Sequence, residues 1–135
     1  MSELVKYCTT TRRNGILLSE DPLFRAEIAR LQVDAEVLRL LCYRIAWAQE
    51  NKKTPNYEAS VTKVFSSELL VRVADVGMHI LGPYSQLDRG SKCAALRGAM
   101  ARAYLNGPSM NIGGGTSEIQ RNIIAMRGLG LPRQQ

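Results

Sequence analysis

The sequence has few aromatic residues, few cysteines and no long apolar run. Phe, Trp and Tyr make up only 6% of its 135 residues, so it lacks a stacking platform of the kind that binds single-stranded nucleic acid. Its three cysteines, Cys8, Cys42 and Cys93, form neither a CxxC pair nor a zinc-ligand spacing. We expect small core residues in a reducing compartment rather than disulfides or a metal site.

The sequence also lacks a membrane span and a leader. No run approaches the ~20 apolar residues that cross a bilayer, and the segment Met1–Lys6 does not have the layout of a signal peptide. Hydrophobic residues make up 45% and charged residues 22% of the chain, which excludes disorder, collagen and a disulfide scaffold. These features predict one globular domain, residues 1–135, in the cytoplasm.

The chain is basic, with 18 Lys and Arg against 12 Asp and Glu and a net charge of +6. Such a balance suits an anionic partner, which could be nucleic acid, a membrane surface or a phosphate-bearing cofactor. The cations are dispersed, with short clusters only at Arg12–Arg13 and Lys52–Lys53. We therefore do not expect nucleic-acid binding.

Gly and Pro residues divide the chain into helical segments without strand-like alternation. A bundle seam with spacings of three and four residues runs through one of them, at Phe24, Ile28, Leu31, Ala35, Leu38, Cys42 and Ile45. Helix-start and helix-stop signals predict helices over 3–13, 22–51, Thr54–Pro55 to Gly82–Pro83, 91–105 and 116–127. The fold class is therefore all-α, an up-and-down bundle of about four main helices.

Two local features could carry chemistry. The triple glycine Gly113–Gly115 precedes Thr116 and a helix start at which Ser117 and Gln120 have capping-box spacing. It is either a flexible turn with a capping hydroxyl, or a loop whose backbone approaches a ligand closely. His79 is the single histidine and has no companion metal ligands, which favours a structural hydrogen bond or a charge at a helix C-terminus.

The segment Ile112–Ala125, with Gly130–Arg133 after it, closely resembles the C-terminal signature of acyl-CoA dehydrogenases. Three further stretches resemble family segments in the same order: Tyr7–Leu18, Ala46–Trp47 and Ile80–Pro83. The resemblance implies the C-terminal four-helix domain of such an enzyme, which builds the oligomer, without the N-terminal helical and middle β domains.

In that family the enzyme removes the α-proton of an acyl-CoA and transfers the β-hydride to FAD, giving a 2-enoyl-CoA. The resemblance therefore implies FAD as cofactor and acyl-CoA as substrate. It also implies that the sequence is either part of a longer dehydrogenase or a truncated member. In either case we expect the isolated chain to be inactive.

The resemblance assigns site residues at two places. Gly115, Thr116, Ser117 and Glu118 hold the flavin cofactor, and the backbone N–H of Gly114 binds the substrate thioester carbonyl. The turn of His79, Gly82 and Pro83 reaches the FAD of a neighbouring subunit.

The sequence departs from the family pattern at five positions. In the turn, His79 replaces a glutamine and Pro83 replaces the second glycine. Gly114 stands where many members have the catalytic glutamate, so the chain supplies no catalytic base there; some branches place that glutamate on the first C-terminal helix instead. Thr11 replaces the FAD-binding arginine and Asn14 replaces a phenylalanine, which leaves Arg12 or Arg13 as a source of the pyrophosphate contact. Such departures suit a homo- or hetero-oligomer in which only some subunit pairs form complete sites.

An alternative function is a non-catalytic helical assembly module derived from this domain. The wide apolar surface of the helix over 22–51 favours self-association under either interpretation. FAD binding distinguishes them.

Overall fold

The computed structural model describes residues 1–133, which form an all-α structure with one small hairpin. Its helices are α1 (Ser2–Thr10), α2 (Pro22–Glu50), α3 (Tyr57–Leu81), α4 (Ala99–Ile112) and α5 (Ser117–Ile123). Strands β1 (Arg12–Arg13) and β2 (Ile16–Leu17) pair antiparallel. Short 3-10 turns cover Leu18–Glu20, Gly82–Gln86 and Ala95–Gly98, and a π turn covers Ile124–Gly128. The predicted all-α class is confirmed.

Helix α3 is the central element and contacts α2, α4 and α5. It runs antiparallel to α4, and two glycines allow the two helices to pack closely. A Cβ added to Gly77 would lie 2.3 Å from the Met100 sulfur, and one added to Gly107 would lie 3.2 Å from Val71 Cγ2. The best-buried core cluster lies where α1 meets the end of α3, and its members are Leu4, Cys8, Leu18, Ile80 and Leu81. This packing places the turn after α3 against the N-terminal hairpin.

Helix α2 begins as the sequence predicts. The Asp21 side chain accepts hydrogen bonds from the backbone N–H groups of Leu23 (2.9 Å) and Phe24 (3.4 Å). Pro22 occupies the first helical position, where its missing N–H requires no partner. The helix ends at Glu50, one residue before the predicted end.

The prediction of a helix over 3–13 is wrong at its C-terminal end. Helix α1 stops at Thr10, and Asn14–Gly15 forms the turn of the hairpin between β1 and β2. Asn14 has φ 54° and Gly15 has φ 83°, and two successive positive φ angles suit a two-residue hairpin turn. The same dipeptide thus reverses the chain instead of capping a helix.

The predicted start of the next helix at Thr54–Pro55 is also wrong. Helix α3 starts at Tyr57, after Asn56, and no side chain caps it. The Tyr57 ring lies against Gly128 of the π turn, with ring carbons 3.1 Å from the position of a glycine Cβ. The helix therefore begins where the chain meets a remote segment, two residues after the local signal.

The predicted helix over 91–105 is displaced along the chain. Helix α4 starts at Ala99 and continues through Asn106–Gly107–Pro108 to Ile112. Pro108 removes one helical hydrogen bond, but Gly107 on the preceding turn is buried against α3. Packing on α3 therefore outweighs the local stop signal. The last helical segment, α5 with its π turn, covers 117–128, close to the predicted 116–127.

Among the described residues, no helix combines the length and the apolar character needed to cross a membrane.

Candidate functional site

The Gly113–Gly115 loop joins α4 to α5, and its residues Gly114 and Gly115 have different surroundings. The Gly114 carbonyl accepts a hydrogen bond of 2.8 Å from Gln120 Nε2. A Cβ added to Gly115 would lie 2.8 Å from the same nitrogen, whereas one added to Gly114 would meet no atom within 4 Å. Gly114 therefore faces open space, and its backbone is accessible to a ligand.

Thr116 is the capping residue of α5, one position before the predicted cap. Its Oγ1 accepts from the Ile119 N–H at 3.4 Å, while Gln120 reaches back to the loop and not to Ser117. Interactions with its own backbone N–H and with the Thr116 hydroxyl hold the pKa of exposed Glu118 below its ordinary value of 4.5. Glu118 is therefore a carboxylate at neutral pH, a hydrogen-bond acceptor beside the loop.

A cleft of about 290 Å³ lies beside this loop and is lined by Glu68, Asn111, Ile112, Thr116, Ser117, Glu118 and Arg121. Arg121 forms an ion pair with Glu68, and Lys63 Nζ donates to the Asn111 carbonyl at 3.0 Å. These two contacts attach the ends of α4 and α5, on either side of the loop, to α3. The Ser117 hydroxyl is buried and has no hydrogen-bond partner among the described residues.

The second predicted site segment, the turn after α3, lies at the other end of that helix. The His79 side chain is 75% exposed, and its Nδ1 lies 3.8 Å from Asp75 Oδ2. Gly82 ends the helix, and Pro83 follows as an exposed residue. A histidine N–H and the backbone of an exposed turn are thus available to a partner at this end.

Arg13, and not Arg12, lies beside that turn. Arg12 Nη1 donates to the Gly15 carbonyl within its own hairpin, at 2.8 Å. Arg13 Nη2 donates to the Ile80 carbonyl at 2.6 Å, and a Cβ on Gly82 would lie 3.1 Å from the same nitrogen. Successive residues of a strand point to opposite faces. Arg13 is therefore the arginine that lies beside the turn, a difference between the two residues that the expected helix could not indicate.

The two segments lie far apart within one chain. Arg121, on the helix that follows the loop, forms an ion pair with Glu68 of α3. Glu68 lies fourteen residues before Gly82, and a rise of 1.5 Å per helical residue places these two residues ~21 Å apart along α3. Asn111 and Lys63 belong to the first segment, although neither carries a sequence signal of a site.

Comparison with known proteins identifies the family. The family model "Acyl-CoA dehydrogenase, C-terminal domain" matches residues 1–129. Acyl-CoA dehydrogenase FadE26 of Mycobacterium tuberculosis is 35% identical over 127 residues, which cover 92% of this chain and 32% of that protein.

Solved structures of similar fold support the same family assignment. The ChsE4–ChsE5 complex of Mycobacterium tuberculosis matches with a TM-score of 0.91 and 34% identity, over 98% of this chain and 35% of that one. The Tcur3481–Tcur3483 steroid ACAD matches with a TM-score of 0.88 and 30% identity, over 98% and 33%. This chain spans about a third of the length of these relatives. It belongs to the acyl-CoA dehydrogenase family, whose helical C-terminal domain it matches.

Proposed function

We propose that residues 1–135 form the FAD-contacting and oligomerisation domain of a cytoplasmic acyl-CoA dehydrogenase. The family consists of FAD-dependent flavoproteins. The observation that carries the proposal is the segment from Gly113 to Glu118, in which the Gly114 backbone is accessible and the Thr116 hydroxyl and the ionised Glu118 side chain lie close by. Bound FAD would supply the hydride acceptor for α,β-dehydrogenation of an acyl-CoA.

The polar residues of the loop suit different parts of the cofactor. The hydroxyls of Thr116 and Ser117 can donate or accept. Glu118 is ionised and would repel a phosphate, so we place it at hydroxyl or N–H groups. Arg121 and Lys63 keep the surroundings from becoming strongly negative. Together these residues would bind and orient the cofactor, whose edge would then lie beside Gly114 and Gly115.

Gly114 is the proposed substrate contact. Its backbone N–H would hydrogen-bond the thioester carbonyl and stabilise the negative charge that develops there when the α-proton leaves. The three glycines Gly113–Gly115 themselves supply no base. Of the two carboxylates at the cleft, Glu68 is ion-paired with Arg121, and Glu118 is a weaker base than an ordinary glutamate because its pKa is lowered. We therefore place the proton acceptor outside this chain.

The turn of His79, Gly82 and Pro83, braced by Arg13, would contact the FAD of another subunit. The ~21 Å between the two segments supports this division, since a single small ligand group cannot touch both. Arg13 uses one of its five N–H donors on the Ile80 carbonyl, which leaves donors for a pyrophosphate. The resemblance to the ChsE4–ChsE5 complex supports an assembly of several subunits, in which the neighbour is either a second copy of this chain or a related chain.

The test is cofactor retention in the assembled enzyme that contains this chain. We expect the purified assembly to carry FAD, measured by its visible absorbance after extraction. The double variant Thr116→Val/Ser117→Ala should bind FAD about thirtyfold less tightly, because each of the two lost hydrogen bonds contributes about 1 kcal/mol. Gly90→Ala, at a position with no atom near its Cβ, is the control.

Three results would contradict the proposal: an assembly without FAD, undiminished FAD retention in the double variant, or acyl-CoA oxidation by the 135-residue chain alone. The first result would favour the alternative of a non-catalytic assembly module, which predicts no FAD affinity in any context.

A further inference from the structure

A separate cleft of about 380 Å³ lies where the chain passes from α2 to α3, and none of the residues assigned above to FAD or acyl-CoA lines it. Its walls come from three segments: the end of α2, the connection with the first turn of α3, and the π turn after α5. Glu58, in one wall, precedes Glu68 by ten residues, which corresponds to ~15 Å along α3. The cleft is thus distinct from the one beside the Gly-rich loop.

The end of α2 places a cation at this cleft. The Lys53 N–H donates to the Ala48 carbonyl at 2.8 Å, and the Lys52 N–H donates to the Gln49 carbonyl at 3.0 Å. Lys52 has φ 56°, so the helix ends in a Schellman motif with lysine at the left-handed position where glycine is usual. This reversal brings the Lys53 ammonium to 5.3 Å from the centre of the Trp47 ring.

Cations predominate in the cleft. Arg44, Lys53 and Arg127 line it together with a single carboxylate, Glu58. Hydrogen bonds from its own backbone N–H and from that of Asn56, with the nearby charge of Arg44, hold the pKa of Glu58 below its ordinary value. Within residues 1–133, neither Lys53 nor Arg127 forms an ion pair with a carboxylate. Two positive charges are therefore left without an anionic partner.

The charge and shape of the cleft specify the kind of ligand. A phosphate monoester carries about −1.5 to −2 charges at neutral pH, which matches this excess better than a single carboxylate does. Arg127 Nη1 donates to Asn56 Oδ1 at 3.1 Å, and the other N–H groups of the guanidinium remain for the oxygens of a phosphate. The Trp47 side chain, 58% exposed, adds a flat apolar surface. A concave site of this composition suits a small molecule that joins a phosphate to a planar ring.

We infer that this cleft is a binding site for a phosphorylated small molecule, in which Lys53 and Arg127 bind the phosphate and Trp47 contacts a planar ring such as a nucleotide base. The inference does not depend on the proposed function, because the two use different residues. A nucleotide and free phosphate share the anionic group that the cations recognise, and the experiment separates them.

Trp47 is the single tryptophan of the chain, so its fluorescence reports on the cleft directly. Titration of the 135-residue chain with ADP should change the emission along a saturable curve. Adenosine should bind at least about tenfold more weakly, because it cannot form the charge-assisted hydrogen bonds, which contribute about 1.5–3 kcal/mol each. Inorganic phosphate should displace ADP. If it binds as tightly as ADP, the occupant is free phosphate and the cation site stands.

The double variant Lys53→Gln/Arg127→Gln should weaken ADP binding at least about tenfold. Lys6→Gln/Lys92→Gln removes the same charge at two exposed positions elsewhere and should bind ADP as the wild type does. Circular dichroism checks that each variant is folded, and the comparison of ADP with adenosine requires no variant at all.

Three results would overturn the inference. The first is the absence of saturable ADP binding to the wild-type chain, measured by fluorescence and by equilibrium dialysis. The second is equal affinity for adenosine and ADP, which would exclude recognition of the phosphate. The third is an equal loss of affinity in both double variants, which would show attraction to the net charge of the chain instead of a site. FAD retention in the assembled enzyme tests the proposed function separately.

Discussion

Gly98 lies in a tightly constrained turn of the backbone. Its φ is 66°, and an added Cβ would lie 2.9 Å from both Asp88 Cα and the Leu87 carbonyl oxygen. Those neighbours are backbone atoms, which cannot rotate away as a flexible side chain can. Arg102 holds the turn from the other side, since its Nη1 donates to Asp88 Oδ1 at 2.8 Å and to the Arg97 carbonyl at 3.0 Å. Only glycine fits at this position without displacement of the loop.

We expect Gly98→Ala to lower the free energy of unfolding by about 2–4 kcal/mol, because it combines left-handed backbone strain with a steric clash. Gly90→Ala, on the same loop, meets nothing within 4 Å and should change that free energy by less than about 0.5 kcal/mol. Equilibrium denaturation in urea compares the two. Equal effects of the two substitutions on the free energy of unfolding would contradict the conclusion that only glycine fits at position 98.

At the level of elements, α2 and α3 begin after similar signals but start in different ways. At α2, a polar residue followed by proline forms a real cap, with Asp21 accepting two backbone hydrogen bonds. At α3, the similar pair Thr54–Pro55 remains outside the helix. The difference arises from packing, because the first turn of α3 is positioned by Tyr57 against the distant π turn at Gly128.

Asp21→Ala should therefore lower the free energy of unfolding by about 1 kcal/mol, the usual contribution of a helix cap. Thr54→Ala is the matched comparison. Its exposed side chain does not cap α3, so the change should stay within about 0.3 kcal/mol. Thermal or urea unfolding followed by helical circular dichroism measures both. A larger loss for Thr54→Ala than for Asp21→Ala would refute this assignment of the caps.

At the level of the whole molecule, α2 exposes most of its apolar surface. Only Leu31 among its 29 residues is buried, and Val33, Leu40 and Trp47 remain 63%, 60% and 58% exposed. These residues recur at helical spacing along one side. Exposed apolar surfaces of this kind mark interaction sites, and the proposed oligomerisation role offers a second copy of the chain as the occupant.

We expect the 135-residue chain to self-associate as its concentration rises. The double variant Val33→Lys/Leu40→Lys should raise the dissociation constant of that association at least about tenfold, because burial of each side chain contributes about 1.5–3 kcal/mol. Gln32→Lys/Gln49→Lys adds the same charge on exposed positions of the same helix and should have less effect. Sedimentation equilibrium provides the measurement. A chain that stays monomeric, or equal effects of both variants, would contradict this role for α2.

The local sequence was sufficient for features that depend on residues a few positions apart. The all-α class and the start of α2 follow from apolar spacing and from Asp21–Pro22, since a helix is built from contacts between residues three and four apart. The contiguous string Ile112–Ala125 was likewise sufficient for the family, which the family model confirms.

Other features were decided by tertiary structure, because they depend on residues far apart in the chain. Arg13 was separated from Arg12 by a hydrogen bond to Ile80, 67 residues away. Helix α4 continues past Pro108 because Gly107 packs on Val71. The ion pair between Arg121 of α5 and Glu68 of α3 joins residues 53 positions apart in the sequence. Local propensities describe each segment alone, whereas burial and unsatisfied hydrogen bonds arise only where segments meet.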